Sequence, residues 1–488
     1  MTLVFAGLFL ASLMLYEARW FALPLMRRPR PVPPGADWRV AVVTTFVPEF
    51  EPLAMLEETV AALVALEYPH DTWVLDEGDD EQVRELCRRY GAAHFSRKRL
   101  QQYQKETGRF EARTKHGNYN AWLFEIGFDR YDLICAFDPD HVPEPDFLSR
   151  ILGYFDDPAV GYVQAAQVYY NQPASFIARG AAEETYAYYS SVQETSYALG
   201  YPVVTGCHNT HRVNALRAVG GFAPHEADDL LITLMYRAAG WRGVYVPERL
   251  AVGLTPVDWS GYLSQQRRWA RSVLDVKLRL YWRFARRLPK REWPVSFAHG
   301  LYYVHGLATA LTVVFVSIAL VVGTRSPLLS SQGLARFLLV AGALQLCEFY
   351  RQRFYLDWRR EGGLHWRAGV LRYAKWPYVL LGLIEAFRPR RNGYLITPKL
   401  PGGTTSGVAV PHLFVTALIG GAWLIGALRG ESFQPVLALA AAALGLSSLG
   451  VALSTQLKYP APYDPTLRDP LDPVVEGAQV QAAQSPTP

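Results

Sequence analysis

Residues 134–143 read Ile-Cys-Ala-Phe-Asp-Pro-Asp-His-Val-Pro, and this stretch decides the fold. Four apolar residues end abruptly in Asp138 and Asp140, a pattern typical of a buried strand followed by a turn. In open α/β sheets, ligands bind at the carboxyl ends of the strands. Two carboxylates at this spacing can hold a hard divalent cation and, through it, a diphosphate. An isolated pair of this kind is more often a solvent-exposed turn, so the surrounding sequence has to decide.

Strands and helices alternate on the amino-terminal side of this stretch. Residues 40–45 and 73–75 are predicted as buried strands, and residues 53–66 and 81–90 as helices. Such alternation predicts a parallel sheet. Asp76 ends the second strand as Asp138 ends a later one, so we expect both side chains in one crevice.

Polar residues of three further segments are candidates for the same crevice. Residues 113–120 carry Lys115 among small polar groups that suit a phosphate or a nucleobase, although a solvated loop is the alternative. Residues 205–209 form a polar turn. Residues 225–229 lead into a helix, and three carboxylates within four residues exceed what helix capping needs. One of them could act as a general base.

Residues 264–287 predict a long basic helix with one apolar face. Arginine, lysine, tryptophan and tyrosine on such a helix suit a membrane surface. From the pattern alone, an ordinary surface helix packed on the core is equally well supported.

Apolar residues concentrate towards both ends of this chain of 488 residues, half of which are hydrophobic. Residues 3–15 are apolar and precede Arg27, Arg28 and Arg30, so we predict an uncleaved anchor with its carboxyl end in the cytoplasm. Four later spans are predicted, with a short interfacial or re-entrant helix between the second and third; they cover residues 297–323, 334–350, 408–428 and 435–453, and the short helix covers 376–387. The arginine-rich segment 351–399 indicates the cytoplasmic side.

Charge and cysteine content exclude two classes of protein. A net charge of +5 does not indicate a nucleic-acid partner. The four cysteines are scattered without metal-ligand spacing, which suits a reducing compartment and no disulfide framework.

Four motifs in order carry a resemblance to a known family. Asp76, Asp138-Pro-Asp140, Asp228-Asp229 and Gln265-x-x-Arg268-Trp269 resemble the D, DxD, TED and QxxRW signature of processive family-2 glycosyltransferases. Cellulose, hyaluronan and chitin synthases belong to this family. Cellulose synthases are matched further by residues 138–143, by a 115–120 segment similar to KxGNLN, by Thr45-x-x-Pro-x-x-Glu51-Pro, and by residues 394–399, which look like the FxVTxK gating loop.

The resemblance implies an α/β fold in which a cytosolic GT-A (Rossmann-like) glycosyltransferase domain lies between transmembrane helices, with amphipathic helices at the interface. The expected organisation is an anchor at 1–30, the glycosyltransferase domain at 38–290, transmembrane and interface helices at 294–457 with a gating-like loop at 391–407, and a disordered tail at 458–488. The expected location is the inner cell membrane, with several spans and a cytoplasmic catalytic domain.

The resemblance also assigns a role to each matching residue. Asp229 would be the general base. Nucleotide-sugar contacts would come from Thr45, Glu51, Asp76, Lys115, Asp138, Gln265 and Arg268. Mg²⁺ or Mn²⁺ would be held by Asp138 and Asp140. Acceptor contacts would come from Trp269, Asp228, Thr205 and Gly206, and Thr397 and Lys399 would close over the bound nucleotide.

The implied activity is inverting, processive synthesis and export of a β-linked polysaccharide, with UDP-glucose favoured as donor. The implied partners are the growing chain, membrane lipid and an accessory export subunit. Three departures concern the acceptor: Ala227 and Asp228 replace Thr and Glu of the TED motif, and Thr205 replaces the usual Cys or Ser before Gly206. Only one amino-terminal span is predicted, and no PilZ-type domain is expected to confer control by cyclic di-GMP.

Alternatives stay open at this point. A non-processive enzyme acting on a lipid carrier is the main one, and UDP-N-acetylglucosamine or GDP-mannose could replace UDP-glucose on the same framework. A transporter or scaffold with an inactive nucleotide-binding domain is disfavoured, because all the core carboxylates are present.

Overall fold

The computed structural model describes residue 7 and residues 23–35, 37–388 and 407–464. The predicted anchor, the gating-like loop and the predicted tail lie largely outside these described residues. Ten strands are described: β1 (Val40–Phe46), β2 (Asp71–Asp76), β3 (Ala93–Phe95), β4 (Leu133–Phe137), β5 (Val142–Pro143), β6 (Val160–Ala165), β7 (Val168–Tyr169), β8 (Asn209–Arg212), β9 (Arg242–Val246) and β10 (Ala251–Gly253).

A seven-stranded sheet organises the first part of the chain, here called the α/β domain (residues 38–290). Its strand order is β3-β2-β1-β4-β8-β6-β9, and β5, β10 and β7 form a second small sheet. Strand β1 pairs in parallel with β2 and β4, so the carboxyl ends of these three strands meet at one edge. Its β-branched residues suit a central strand that is buried on both faces.

The sheet is mixed rather than wholly parallel as the alternation predicted. Strand β8 runs antiparallel to both β4 and β6, with Asn209 opposite Ala136. Because β8 runs antiparallel to β4, the start of β8 lies beside the carboxyl end of β4. The turn that precedes β8, residues 205–208, is therefore brought against residues 138–141.

Side chains alternate between the two faces of the sheet. Val40 and Val42 pack with Phe137 in one apolar cluster, while Ala41 and Val43 pack in another on the opposite face. Helices cover both faces, which is the layered arrangement of α/β domains.

Nineteen α-helices lie in the described residues. They are α1 (Leu53–Val64), α2 (Glu81–Tyr90), α3 (Lys115–Trp122), α4 (Phe128–Arg130), α5 (Phe147–Ile151), α6 (Phe176–Ala187), α7 (Gln193–Ala198), α8 (Val213–Val219), α9 (Asp228–Ala238), α10 (Trp259–Asp275), α11 (Tyr281–Ala285), α12 (Trp293–Ala298), α13 (His305–Val322), α14 (Ser331–Arg351), α15 (Trp358–Glu361), α16 (Trp366–Ala374), α17 (Trp376–Ala386), α18 (Val410–Leu428) and α19 (Pro435–Ser454).

Three segments whose sequence predicts a single element are divided in the structure. Residues 161–171 predict one strand but form β6 and β7, which belong to different sheets. The basic helix predicted at 264–287 becomes α10 and α11 around a π turn at Val276–Leu280. Residues 175–199 predict one helix but form α6 and α7, joined by a wider π turn at Tyr188–Val192. Such π turns occur frequently at functional sites, and this one faces the cavity described below.

Helices α13 to α19 form the second part of the chain, here called the helical section (residues 294–457 without the undescribed loop). Four of its helical stretches are long and apolar enough to cross a membrane: Leu301–Val322, Ser331–Phe354, Val410–Leu428 and Pro435–Ser454. They match the four spans predicted after the α/β domain. The short apolar helix α17 lies across α10 of the α/β domain, and Lys375, just before it, binds Glu184 of α6 at 2.9 Å.

The segment that follows α19, residues 456–463, returns to the α/β domain. Tyr459 donates its hydroxyl to the Ser454 carbonyl at 3.0 Å. Tyr463 donates to Glu58 of α1 at 3.1 Å. We call this segment the strap, because it connects the end of the last long helix, α19, to helix α1 of the α/β domain.

Candidate active site

A cavity of about 1750 Å³ lies at the carboxyl edge of the sheet and continues to the helical section. Its wall includes most of the residues singled out by sequence: Thr45, Glu51, Lys115, Asp138, Asp140, Thr205, Gly206, Asp228, Asp229, Gln265, Arg268 and Trp269. These residues come from six separate segments of the chain. The fold therefore brings one set of charged, polar and aromatic groups around a single space.

The two carboxylates that follow β4 lie at the centre of this wall. Lys115, at the first position of α3, donates to Asp138 Oδ1 at 2.5 Å and to the Gly206 carbonyl at 2.7 Å. Thr114 fixes the start of α3 by accepting from the Gly117 amide, and so positions Lys115. Residues 115, 138 and 206 are thus tied together although they are far apart in sequence.

This donor set suits a hard divalent cation. Asp138, Asp140 and His141 each offer a ligand atom, and these atoms lie within 4.8 Å of one another. Carboxylate oxygens are the ligands that Mg²⁺ and Mn²⁺ prefer. Asp138 and Asp140 therefore fit the metal-binding role that the sequence assigned to them.

Asp228 and Asp229 open helix α9 and face the same space. Burial raises the pKa of Asp228 to about 7, with the charges of Asp229 and Asp138 adding to the effect and Lys115 opposing it. Burial also raises the pKa of Asp229, while a hydrogen bond from the Leu230 amide at 2.6 Å opposes that rise. A raised pKa makes each of these carboxylates a better proton acceptor than an ordinary aspartate, which is what a general base requires.

Helix α10 presents the Gln265-x-x-Arg268-Trp269 motif to the cavity. The helix begins at Trp259, earlier than the predicted start at Ser264, because Asp258 caps it by accepting from the Gly261 amide at 2.7 Å. Trp269 keeps 38% of its surface exposed, which is unusual for such a large apolar side chain beside a core. An exposed indole at a cavity wall offers a flat apolar platform.

The opposite end of the cavity is formed by the loops after β1 and β2. Thr45 and Glu51 lie in its wall, and Glu51 accepts from the Val47 amide at 2.8 Å. Asp76 does not line it. Its fully buried carboxylate accepts from the amides of Gly78 and Asp80 at 2.7 and 2.5 Å.

Asp76 therefore shapes the loop whose residues Glu77 and Gly78 reach the cavity. Its predicted nucleotide contact stays a prediction. Thr397 and Lys399, predicted to gate the site, lie outside the described residues.

Thr205 and Gly206, predicted to contact the acceptor, lie in the turn before β8. The Thr205 amide donates to Gln164 at 2.8 Å, which anchors this turn to β6. The Gly206 carbonyl accepts from Lys115, which also donates to Asp138, so the turn lies next to the Asp138 carboxylate.

Several tyrosines in the wall were not singled out by sequence. Tyr188 and Tyr189 come from the π turn, and Tyr302 and Tyr303 from the start of the first long apolar stretch. Their signal was present as tyrosine clusters at 186–189 and 302–303. They extend the cavity from the carboxylates to the base of the helical section.

Comparison with known proteins gives related sequences over the α/β domain. Residues 40–272 match the family described as glycosyltransferase like family 2. Cellulose synthase 2 of Novacetimonas hansenii is 27% identical over 273 residues, 54% of this chain and 16% of that protein. The UDP-forming cellulose synthase catalytic subunit of Xanthomonas axonopodis pv. citri (strain 306) is 28% identical over 273 residues, 54% of this chain and 35% of that protein. The matched region thus spans about a third or less of the length of these relatives.

A solved structure shares the fold over most of the chain. The mannosyltransferase PcManGT from Pyrobaculum calidifontis, in complex with GDP-Man and Mn²⁺, superimposes with a TM-score of 0.53 and 18% sequence identity. The superposition covers 79% of this chain and 97% of that protein. The similarity therefore extends beyond the α/β domain into the helical section.

Proposed function

We propose that the protein is an inverting, processive, membrane-embedded enzyme that makes a β-linked polysaccharide, because residues 40–272 match the family described as glycosyltransferase like family 2 and are similar to cellulose synthases. The favoured donor is UDP-glucose. The observation that carries the proposal is the continuity of one cavity from Asp138, past Asp229 and Trp269, to Tyr303 at the base of a membrane-length helix. A growing chain needs such a continuous path from the reacting atoms to the membrane.

The residues of the wall divide the chemistry between them. Asp229 removes the proton from the acceptor sugar hydroxyl, which then attacks the anomeric carbon in line and inverts its configuration. The raised pKa values of Asp228 and Asp229 make both carboxylates stronger bases than an ordinary aspartate. Asp229 remains the favoured base because it stands eleven residues before Gly240-Trp241, the spacing expected from the resemblance.

Cationic residues bind the leaving group, the nucleotide diphosphate. Lys115 and Arg268 lie in the wall of the same cavity as Asp138 and bind the negative charge of the nucleotide diphosphate. Asp138 and Asp140 would hold Mg²⁺ or Mn²⁺, which would supply positive charge against the leaving diphosphate. The relative that is named UDP-forming supports uridine diphosphate as the leaving group.

Trp269 holds the acceptor. A sugar ring stacks its apolar face on an aromatic platform, and the exposed indole of Trp269 lines the same cavity as the carboxylates and Tyr303. We further propose that the α/β domain is cytoplasmic and that the four long apolar helices lie in the inner membrane. Membrane lipid and an accessory export subunit are the proposed partners.

The test is incorporation of radiolabelled UDP-glucose by purified membranes with Mg²⁺ or Mn²⁺, followed by digestion with linkage-specific glucanases. We expect high-mass label from the wild type and at least a hundredfold loss in Asp229→Asn, since the base is removed. Asp129→Asn is the matched control, because that side chain is 88% exposed outside the cavity.

Three other outcomes contradict parts of the proposal. Label that appears only in a small, organic-extractable product favours a lipid-carrier enzyme. Label from UDP-N-acetylglucosamine or GDP-mannose, but not from UDP-glucose, overturns the donor. High-mass label from Asp229→Asn at the wild-type rate overturns the assignment of the base.

A further inference from the structure

A second group of side chains that can bind a metal lies next to the Asp138–Asp140 turn. His141, Cys207 and His208 each offer one donor atom, and the three atoms lie within 4.8 Å of one another. All three residues are at least 95% buried. Two imidazoles and a thiol differ in kind from the carboxylates above them, since they favour zinc and other borderline or soft metals.

The hydrogen bond made by the His208 ring leaves one of its nitrogens available to bind a metal. His208 Nδ1 lies 3.0 Å from the Ala166 carbonyl, which can only accept, so Nδ1 carries the proton and Nε2 keeps its lone pair. Among the described residues, this buried Nε2 has no hydrogen-bond partner. A buried ring nitrogen without a partner is uncommon and calls for an explanation.

The His141 ring also directs one nitrogen, Nε2, towards Cys207. Its Nδ1 lies 3.3 Å from Asp140 Oδ1, an electrostatic contact without hydrogen-bond geometry, and its Nε2 lies 3.4 Å from Cys207 Sγ. A carboxylate on one ring nitrogen and a metal on the other is the usual arrangement of zinc-binding histidines. With zinc–sulfur and zinc–nitrogen bonds of about 2.3 and 2.0 Å, a tetrahedral site has a sulfur–nitrogen edge of about 3.5 Å, close to the separation observed.

The backbone is adapted to this cluster. His208 has a φ of +57°, a left-handed conformation that residues other than glycine adopt rarely and that marks functional sites. Gly253 leaves room for the other ring, since a Cβ there would lie 2.0 Å from the His141 imidazole. Two independent features of the chain thus favour this placement of the rings.

We propose that His141, Cys207 and His208 bind one zinc ion, with a fourth position available to water. Asp140 then has two roles, as a member of the carboxylate pair above and as the outer partner of His141. Zinc at this site fixes the turn that carries Asp140. The proposal does not depend on the proposed glycosyl transfer.

The test uses the full-length protein in detergent, purified without a histidine tag, stripped with a chelator and then loaded with Co²⁺ as a spectroscopic substitute for zinc. A cysteine thiolate bound to Co²⁺ gives a ligand-to-metal charge-transfer band in the near ultraviolet. We expect this band in the wild type, its displacement by one equivalent of Zn²⁺, and its loss in Cys207→Ser. Zinc affinity measured by competition with a chromophoric chelator should fall about tenfold or more in His208→Asn, in which asparagine tolerates the left-handed φ.

Matched variants separate this site from other cysteines and from the carboxylate pair. Cys135→Ser changes a buried cysteine in β4 and should keep the band. Asp138→Ala should keep the band but lose Mn²⁺ binding, whereas Cys207→Ser should keep Mn²⁺ binding, and this retained binding also shows that the variant is folded. Absence of the band from the wild type, or its presence in Cys207→Ser, overturns the proposal.

Discussion

Burial and the charge of Asp229 make Asp228 harder to ionise, and this has a measurable pH dependence. The pKa of Asp228 is raised to about 7 by burial and by neighbouring carboxylates. Activity should therefore fall as the pH drops below about 7, when the pair holds a proton. In Asp228→Asn the group whose pKa is about 7 no longer titrates, so the acid limb of the pH–rate profile for labelled product should move to lower pH.

The same substitution should change stability in a pH-dependent way. A carboxyl group whose folded pKa exceeds its unfolded value of about 4 makes the folded state lose stability as the pH rises between those two values. Removing it should raise the thermal unfolding temperature more at pH 8 than at pH 5. Asp129→Asn should shift neither property, and an equal gain at both pH values would contradict the assigned pKa.

Single residues also show where sequence was sufficient and where it was not. Asp138, Asp140 and the Asp228–Asp229 pair were predicted to share a crevice and do line one cavity. Asp76 follows the same rule in sequence, but its carboxylate turns to the amides of residues 78 and 80. A strand-end position predicts an edge of the sheet, whereas the direction of the side chain depends on the loop that follows.

At the scale of elements, the packing of α17 on α10 positions the Gln265-x-x-Arg268-Trp269 motif. A Cβ on Gly382 of α17 would lie 2.7 Å from the Arg267 carbonyl and 3.0 Å from Ala270. Gly382→Val should therefore force the two helices apart and lower both the unfolding temperature and the synthesis rate. Thermal unfolding in detergent and labelled-product formation measure the two effects.

Gly369 of α16 offers the matched control. A Cβ at this position would meet nothing within 4 Å. Gly369→Ala should leave synthesis unchanged and stabilise the helix by about 0.5–1 kcal/mol. If Gly382→Val behaves like Gly369→Ala, close packing at this contact does not position the motif.

The elements themselves were largely predictable, and their pairing less so. Strands β1, β2 and β4 were expected from apolar runs of β-branched and aromatic residues, and α2 from its periodicity. The direction of β8 was not expected, because a four-residue polar strand carries no signal for its neighbours. The π turn at Tyr188–Val192 also has no sequence signal, since one extra residue in a helical turn leaves the composition unchanged.

For the whole molecule, the tyrosines at the base of the helical section should determine product length. Tyr303 lies in the cavity wall beyond Trp269 and can support the chain after it leaves the reacting atoms. Tyr303→Ala should shorten the polymer, measured by gel filtration of labelled product, while the initial rate of UDP release is largely kept.

Tyr350→Ala is the control for this prediction. Tyr350 lies on α14, is 54% exposed and does not line the cavity. Polymer of wild-type length from Tyr303→Ala would show that the path to the membrane does not run past this residue.

The strap of residues 456–463 has a mechanical consequence. The α/β domain continues into the first long helix at one side, and at another side Tyr463 holds the returning strap against Glu58. Together with the packing of α17 on α10 and the Lys375–Glu184 bond, the strap attaches the α/β domain to the helical section at several places. Leu457, Tyr459 and Pro460 of the strap also line the cavity. Separating the α/β domain from the helical section would break these contacts, so we expect substrates to enter and products to leave without such a separation.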